Sequence, residues 1–124
     1  MKKIFKFRDW PVYQEALNFR EWVTEKIVPL IPKEERYELT SQLKRALNSI
    51  ILNIAEGAYR ISDKDFAHFL NNSVTSLNEV VACFDICFKN KYIDKNLHSE
   101  ALNLSNNLAK QLIGFHKSLL DHKP

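Results

Sequence analysis

A chain of 124 residues has room for one well-packed core and not for two. With 45% hydrophobic and 27% charged residues, it has the balance of a folded globular protein rather than a disordered segment. Its net charge of +3 gathers at the start: "MKKIFKFR" holds Lys2, Lys3, Lys6 and Arg8 and no acid, and the rest of the chain sums to −1 from 14 bases and 15 acids, which excludes a chain-wide basic field. That opening segment reads either as a solvated terminus or as a contact for an anionic partner.

Two glycines and four prolines leave little punctuation for turns, which favours a few long helices. The first helix is expected to open with Asp9 as N-cap and Pro11 in its first turn, where a missing N–H costs nothing. Its apolar stripe is Val12, Ala16, Phe19, Val23 and Ile27, and Pro29 and Pro32 close it. The second is expected from near Thr40, a capping residue, with core positions Leu43, Leu47, Ile50 and Ile54 and with Gly57 as its C′ stop. The third opens on "SDKD", with Ser62 as cap and Asp65 reaching back, and carries Phe66, Leu70, Ser73, Leu77, Val80 or Val81, Phe84 and Phe88. After "NKYID", Asp94 caps a fourth helix bearing Leu97, Ala101, Leu104, Leu108, Leu112, Phe115 and Leu119. Helices of roughly 18 to 28 residues on short connections predict an all-α fold, an antiparallel up-down-up-down four-helix bundle, as one domain over residues 1–124 with a basic tail at 1–8.

Tools for catalysis are sparse in the sequence. A di-iron bundle needs two Glu-x-x-His pairs, and the chain offers only Asp65-x-x-His68. His68, His98, His116 and His122 are scattered, no serine sits in a G-x-S-x-G elbow, and two isolated glycines do not build a phosphate loop. No metal, no cofactor and no enzymatic activity are expected. Cys83 and Cys87 share one face of an apolar helical run and read as buried free thiols, which fits a reducing cytoplasm. No run reaches the ~18 apolar residues of a membrane span, and "MKKIFKFRDW" lacks the apolar stretch of a secretory signal.

The second helix carries an unusual face. On a helical wheel Gln42, Arg45, Ser49, Asn53 and Glu56 fall within roughly an 80° sector, with Asn53 at the edge of the core beside Ala46 and Ile50. Leu52 lands almost opposite the core, and Ile51 and Ala55 also fall outside the core sector. A helix apolar on more than one side has something covering the second side, so a neighbouring subunit or partner is expected there. The alternatives are an ordinary exposed face, a set of partly buried hydrogen bonds that select one register, or direct contact with a nucleic acid.

"FRDWPVYQEA", "YELTSQLKRALNSIILNIAEGAYR" and "SDKDFAHFLNNSVTSLNEV" together resemble the family of 23S rRNA intervening-sequence proteins. The likeness centres on Gln42, Arg45, Ala46, Ser49, Ile50, "NIAEG" at 53–57, Phe66, Phe69, Leu70 and Glu79, and covers nearly the whole chain. It implies a four-helix bundle that assembles into a ring, typically a homopentamer, without enzymatic activity. Family members were once filed as a small ribosomal protein, and a related branch works with RNA and a reverse transcriptase. The near-neutral body here departs from that basic branch: residues 61–91 hold four acids and three bases. The leading expectation is a non-catalytic oligomer serving RNA or an RNA-handling partner, through Lys2, Lys3, Lys6 and Arg8 first and Lys44, Arg45 and Arg60 second. The alternative is a protein–protein interaction module with no nucleic-acid role.

Overall fold

The structure, a computed structural model, describes residues 3–121. Within them lie four helices, α1 (Pro11–Lys26), α2 (Leu39–Gly57), α3 (Asp63–Lys89) and α4 (Lys95–Asp121), with no strand among the described residues. Three short 3-10 turns, Lys6–Asp9, Val28–Leu30 and Lys33–Glu35, shape the start of the chain and the α1–α2 connection. At 16 residues α1 is shorter than the sequence pattern suggested, because the chain leaves the helix at Ile27, two residues before Pro29 withdraws its backbone donor.

The local signals at three helix ends resolve differently from their reading in the sequence. Asp9 does not cap α1. Pro11 occupies the first helical position, so the cap falls on Trp10, whose side chain makes no capping bond, and the Asp9 carboxylate instead accepts from Lys3 Nζ at 2.7 Å. Thr40 lies inside α2 rather than at its cap. The connector already coils at Lys33–Glu35, Glu38 N–H donates to Glu35 O at 3.1 Å, and the chain enters α2 at Leu39. Gly57 is not a left-handed C′ residue: it is the last residue of α2, and no described glycine has a positive φ. Ser62 and Asp94 do cap as expected, accepting from the backbone N–H of Asp65 (3.1 Å) and Leu97 (2.8 Å).

Gly57 is buried and glycine for a packing reason. A Cβ built there would lie 2.7 Å from Phe69 Cβ and 2.9 Å from Phe66 Cδ1. The missing side chain lets the end of α2 close on the first turns of α3. Contacts then run in opposite senses along the two helices: Gly57 meets Phe66 and Phe69, Ser73 Oγ donates to Ile50 O at 2.8 Å, and the Ser49 and Ser76 hydroxyls share a 2.8 Å bond. The α3–α4 pair is antiparallel by the same test, with Phe66 against Phe115 at one end and Asp85 against His98 at the other. Trp10 on Phe66 and Phe19 on Phe84 make α1 run with α3, which completes the up-down-up-down order.

All the apolar positions expected from α1 and α2 are buried: Val12, Ala16, Phe19, Val23 and Ile27 on one, Leu43, Leu47, Ile50 and Ile54 on the other. In α3 the core choice falls on Val80, while Phe88 is exposed and lies flat on the His98 ring at 4.5 Å. Among the described residues, the buried polar side chains Ser73 and Ser105 each donate to a helix carbonyl, so burying their hydroxyls leaves no polar atom unmatched.

Candidate functional site

The first described residues, 3–10, lie folded against the bundle. Phe7 meets Tyr13 edge-on at 5.0 Å, and Trp10 stacks on Phe66 at 5.5 Å while meeting Phe115 edge-on at 5.6 Å. These rings anchor an arm of residues 3–10 across the end of the molecule where α2 finishes. Between arm and helix lies a groove of about 980 Å³, lined by Phe5, Phe7, Trp10 and Tyr59 with Ala55 and Ala58 between them. Phe5 and Tyr59 are 64% and 89% exposed, so two large aromatic faces, one from the arm and one from the end of α2, are presented to solvent.

Lys3 and Lys6 also line this groove, and Arg8 and Arg60 flank it in sequence. Lys3 is paired with Asp9, and the Asp9 carboxyl is held below its ordinary range by that hydrogen bond and the lysine charge. Arg60 bridges to Glu56 at 3.3 Å and lays its guanidinium 4.4 Å over the Phe69 ring, which fixes the cation beside Tyr59. Among the described residues neither Lys6 nor Arg8 takes part in an ion pair. Lys2 lies outside the described residues.

Lys44 and Arg45 do not join this group. They are exposed on the first half of α2, and at 1.5 Å per residue Arg45 stands about 20 Å along the axis from Arg60. Arg45 and Gln42 share a shallow cleft with Glu35 and Glu38, an acidic neighbourhood unlike that of the arm. The basic residues singled out in the sequence therefore divide between the two ends of the molecule.

The polar face of α2 is partly spent within the bundle. Asn53 Nδ2 donates to Ser49 O (2.9 Å) and Ser49 Oγ (3.1 Å), and Ser49 in turn meets Ser76 of α3. Glu56 serves Arg60. Ile51, which falls outside the core sector of an isolated wheel, is 8% exposed and joins the core cluster of its own chain. Leu52 remains, 63% exposed, near Asn53 and Glu56 on an outward face.

Other chemistry-bearing groups have structural employment. Burial pushes the Cys83 and Cys87 thiols up to about 11, so both stay protonated at neutral pH. His98 lies on Phe88 and is bonded to Asp85 at 2.9 Å, and Tyr92 O–H donates to Glu35 at 2.9 Å, tying the α3–α4 turn to the α1–α2 connection. Among the described residues no cluster of three His, Cys, Asp or Glu is placed to hold a metal ion, and no helix is long and apolar enough to cross a membrane.

Sequence reasoning picked out the charges of the arm but missed its aromatics. Phe5 and Phe7 alternate with Lys6 and Arg8 in "FKFR", which is the interleaving that was there to be read. Tyr59 had no such signal, since its partner wall is remote in sequence.

The chain is similar in fold to a crystal structure of a protein of unknown function from the S23 ribosomal protein family of Bacteroides thetaiotaomicron, with a TM-score of 0.76, 23% identity, and coverage of 86% of this chain and 98% of that one. No curated protein matches it. The sequence profile described as 23S rRNA-intervening sequence protein matches residues 8–114, which hold all of α1, α2 and α3 and most of α4 but leave residues 3–7 of the arm outside. On that match, the chain belongs to the 23S rRNA-intervening sequence protein family.

Proposed function

We propose that this protein is a non-catalytic oligomer, a homopentameric ring in the cytoplasm, that serves as an accessory or scaffold for RNA or an RNA-handling partner. The observation that carries the reading is the arm: Lys3, Lys6 and Arg8 are held on the end of the bundle by Phe7 and Trp10 and stay exposed there. A cationic segment anchored in this way presents its charge in a fixed place, and a ring repeats it in each subunit, where one copy alone has a near-neutral body. The family's printed description, a protein of 23S rRNA intervening sequences, supports the same partner class. Buried polar groups engaged in packing and thiols held protonated support a structural rather than chemical role.

Assembly is assigned to the outward face of α2, where Leu52 presents a large apolar side chain to solvent. Light scattering on the purified protein and on Leu52→Glu tests this. The reading expects an oligomer that falls to smaller species in the variant; a variant of unchanged mass refutes the assigned face. An intact oligomer that ignores RNA at ~50 mM salt would instead favour the protein–protein interaction module.

A further inference from the structure

We propose that the groove between the arm and the end of α2 is a stacking site for unpaired bases of single-stranded RNA. The inference rests on the reading above that the protein handles RNA, and it adds which form of RNA is bound and through which side chains. Four of the lining residues, Phe5, Phe7, Trp10 and Tyr59, are aromatic, and Ile4 is the aliphatic exception of comparable size. Flat aromatic faces suit flat bases of any sequence, and because aromatic-lined grooves also take proline-rich peptides, it is Lys3 and Lys6 in the lining that select a polyanion. The small side chains of Ala55 and Ala58 keep the helix wall low between Tyr59 and the arm, and the volume of about 980 Å³ is that of a small-ligand site.

The faces are pre-positioned. Phe7 is braced by Tyr13, and Phe5 stands edge-on to Phe7 at 6.4 Å. Trp10 is locked into the Phe66–Phe115 cluster, and Tyr59, two residues past the end of α2, leaves its ring open to solvent for a base. Charge complements the aromatic lining: among the described residues, the ion pairs of Lys3, Lys6, Arg8 and Arg60 are Lys3–Asp9 and Arg60–Glu56, so these six groups sum to +2. Cations on the rim and rings within are what a phosphate backbone with splayed bases requires. A duplex offers the cations its phosphates but keeps its base faces stacked away from the rings.

The test compares a labelled 12-nucleotide oligo(A) RNA with a 12-base-pair RNA duplex by fluorescence anisotropy at ~50 mM salt, using the full chain and its Phe5→Leu and Tyr59→Leu variants. Leucine keeps apolar bulk, and both positions are exposed, so circular dichroism is expected to show folded variants. The single strand is expected to bind about tenfold or more tightly than the duplex, and each leucine variant to weaken the single strand by about fivefold or more while leaving duplex binding unchanged. Equal affinity for both RNAs, or single-strand binding untouched by both substitutions, overturns the stacking site alone. Binding of neither RNA overturns the functional reading with it.

Discussion

Replacing Gly57 with alanine separates two reasons for a glycine at the end of α2. Away from contacts, alanine in a helix is favoured over glycine by about 1 kcal/mol. Here the new methyl would lie 2.7 Å from Phe69 Cβ, an atom fixed to the backbone of α3, and 2.9 Å from the Phe66 ring. Restoring ordinary contact means moving α2 and α3 apart by roughly 0.7 Å, and overpacking of that kind costs about 1–3 kcal/mol. The contact with Phe69 Cβ is to a backbone-fixed atom that cannot swing away, so the clash outweighs the propensity gain and a net loss of up to about 2 kcal/mol is expected. For a domain of this size that lowers Tm by up to roughly 10 °C. Asparagine discriminates further: it tolerates a left-handed cap but is bulkier, so the packing account ranks stability Gly57 > Ala > Asn, and a capping account reverses the last two. Urea and thermal unfolding of the two variants decide it. An alanine variant as stable as the parent, or an asparagine variant more stable than alanine, refutes the close-approach reasoning.

Lys91 has a φ of 64°, a left-handed conformation in which Lys91 N–H donates to Phe88 O and Tyr92 N–H to Cys87 O to close α3. Lys91→Gly relieves about 1–2 kcal/mol of strain and returns up to about 1 kcal/mol in unfolded-state entropy, so a gain of about 0.5–1 kcal/mol in urea unfolding is expected. The two thiols have folded values raised by burial from 9.0 to about 11. The neutral form is the one the fold favours, so their contribution is complete below pH 9 and is lost as pH rises from 9 through 11; a stability that stays flat across that window contradicts it. Alkylation of Cys83 and Cys87 at pH 8 is expected to be slow in the native protein and fast in denaturant, as read by mass spectrometry. Ser73→Ala removes a buried donor to Ile50 O and is expected to cost about 1 kcal/mol, measured by the same unfolding curves.

What was legible in the sequence was whatever depends on local periodicity. The stripes of α1 and α2 are buried where the 3.6-residue spacing placed them, and Ser62 and Asp94 cap because capping needs only a hydroxyl or carboxylate three residues before an N–H. What was not legible depended on partners brought in by the fold. Gly57 carries the same letter whether it caps a helix in a left-handed conformation or admits Phe69, and only the packing of α3 distinguishes the two. Ile51 lies off the core sector of an isolated wheel, yet its own chain buries it. Asp9 had the composition of a cap, but Pro11 moved the cap to Trp10 and Lys3 took the carboxylate. The candidate site divides in the same way: the charges of "MKKIFKFR" were readable, whereas the groove exists because the fold brings Phe5 and Tyr59 to opposite sides of one cleft.

The measurement that bears most directly on the proposed role is the salt dependence of RNA binding by the intact protein and by a variant lacking residues 2–8. With Lys2, Lys3, Lys6 and Arg8 contacting phosphates, one arm on a single strand gives a slope of log affinity against log salt of about −3, and further arms in an oligomer make it steeper. The account predicts that slope or a steeper one, with binding abolished in the truncated protein. Absence of binding at ~50 mM salt, or an affinity that survives loss of the arm, would contradict it.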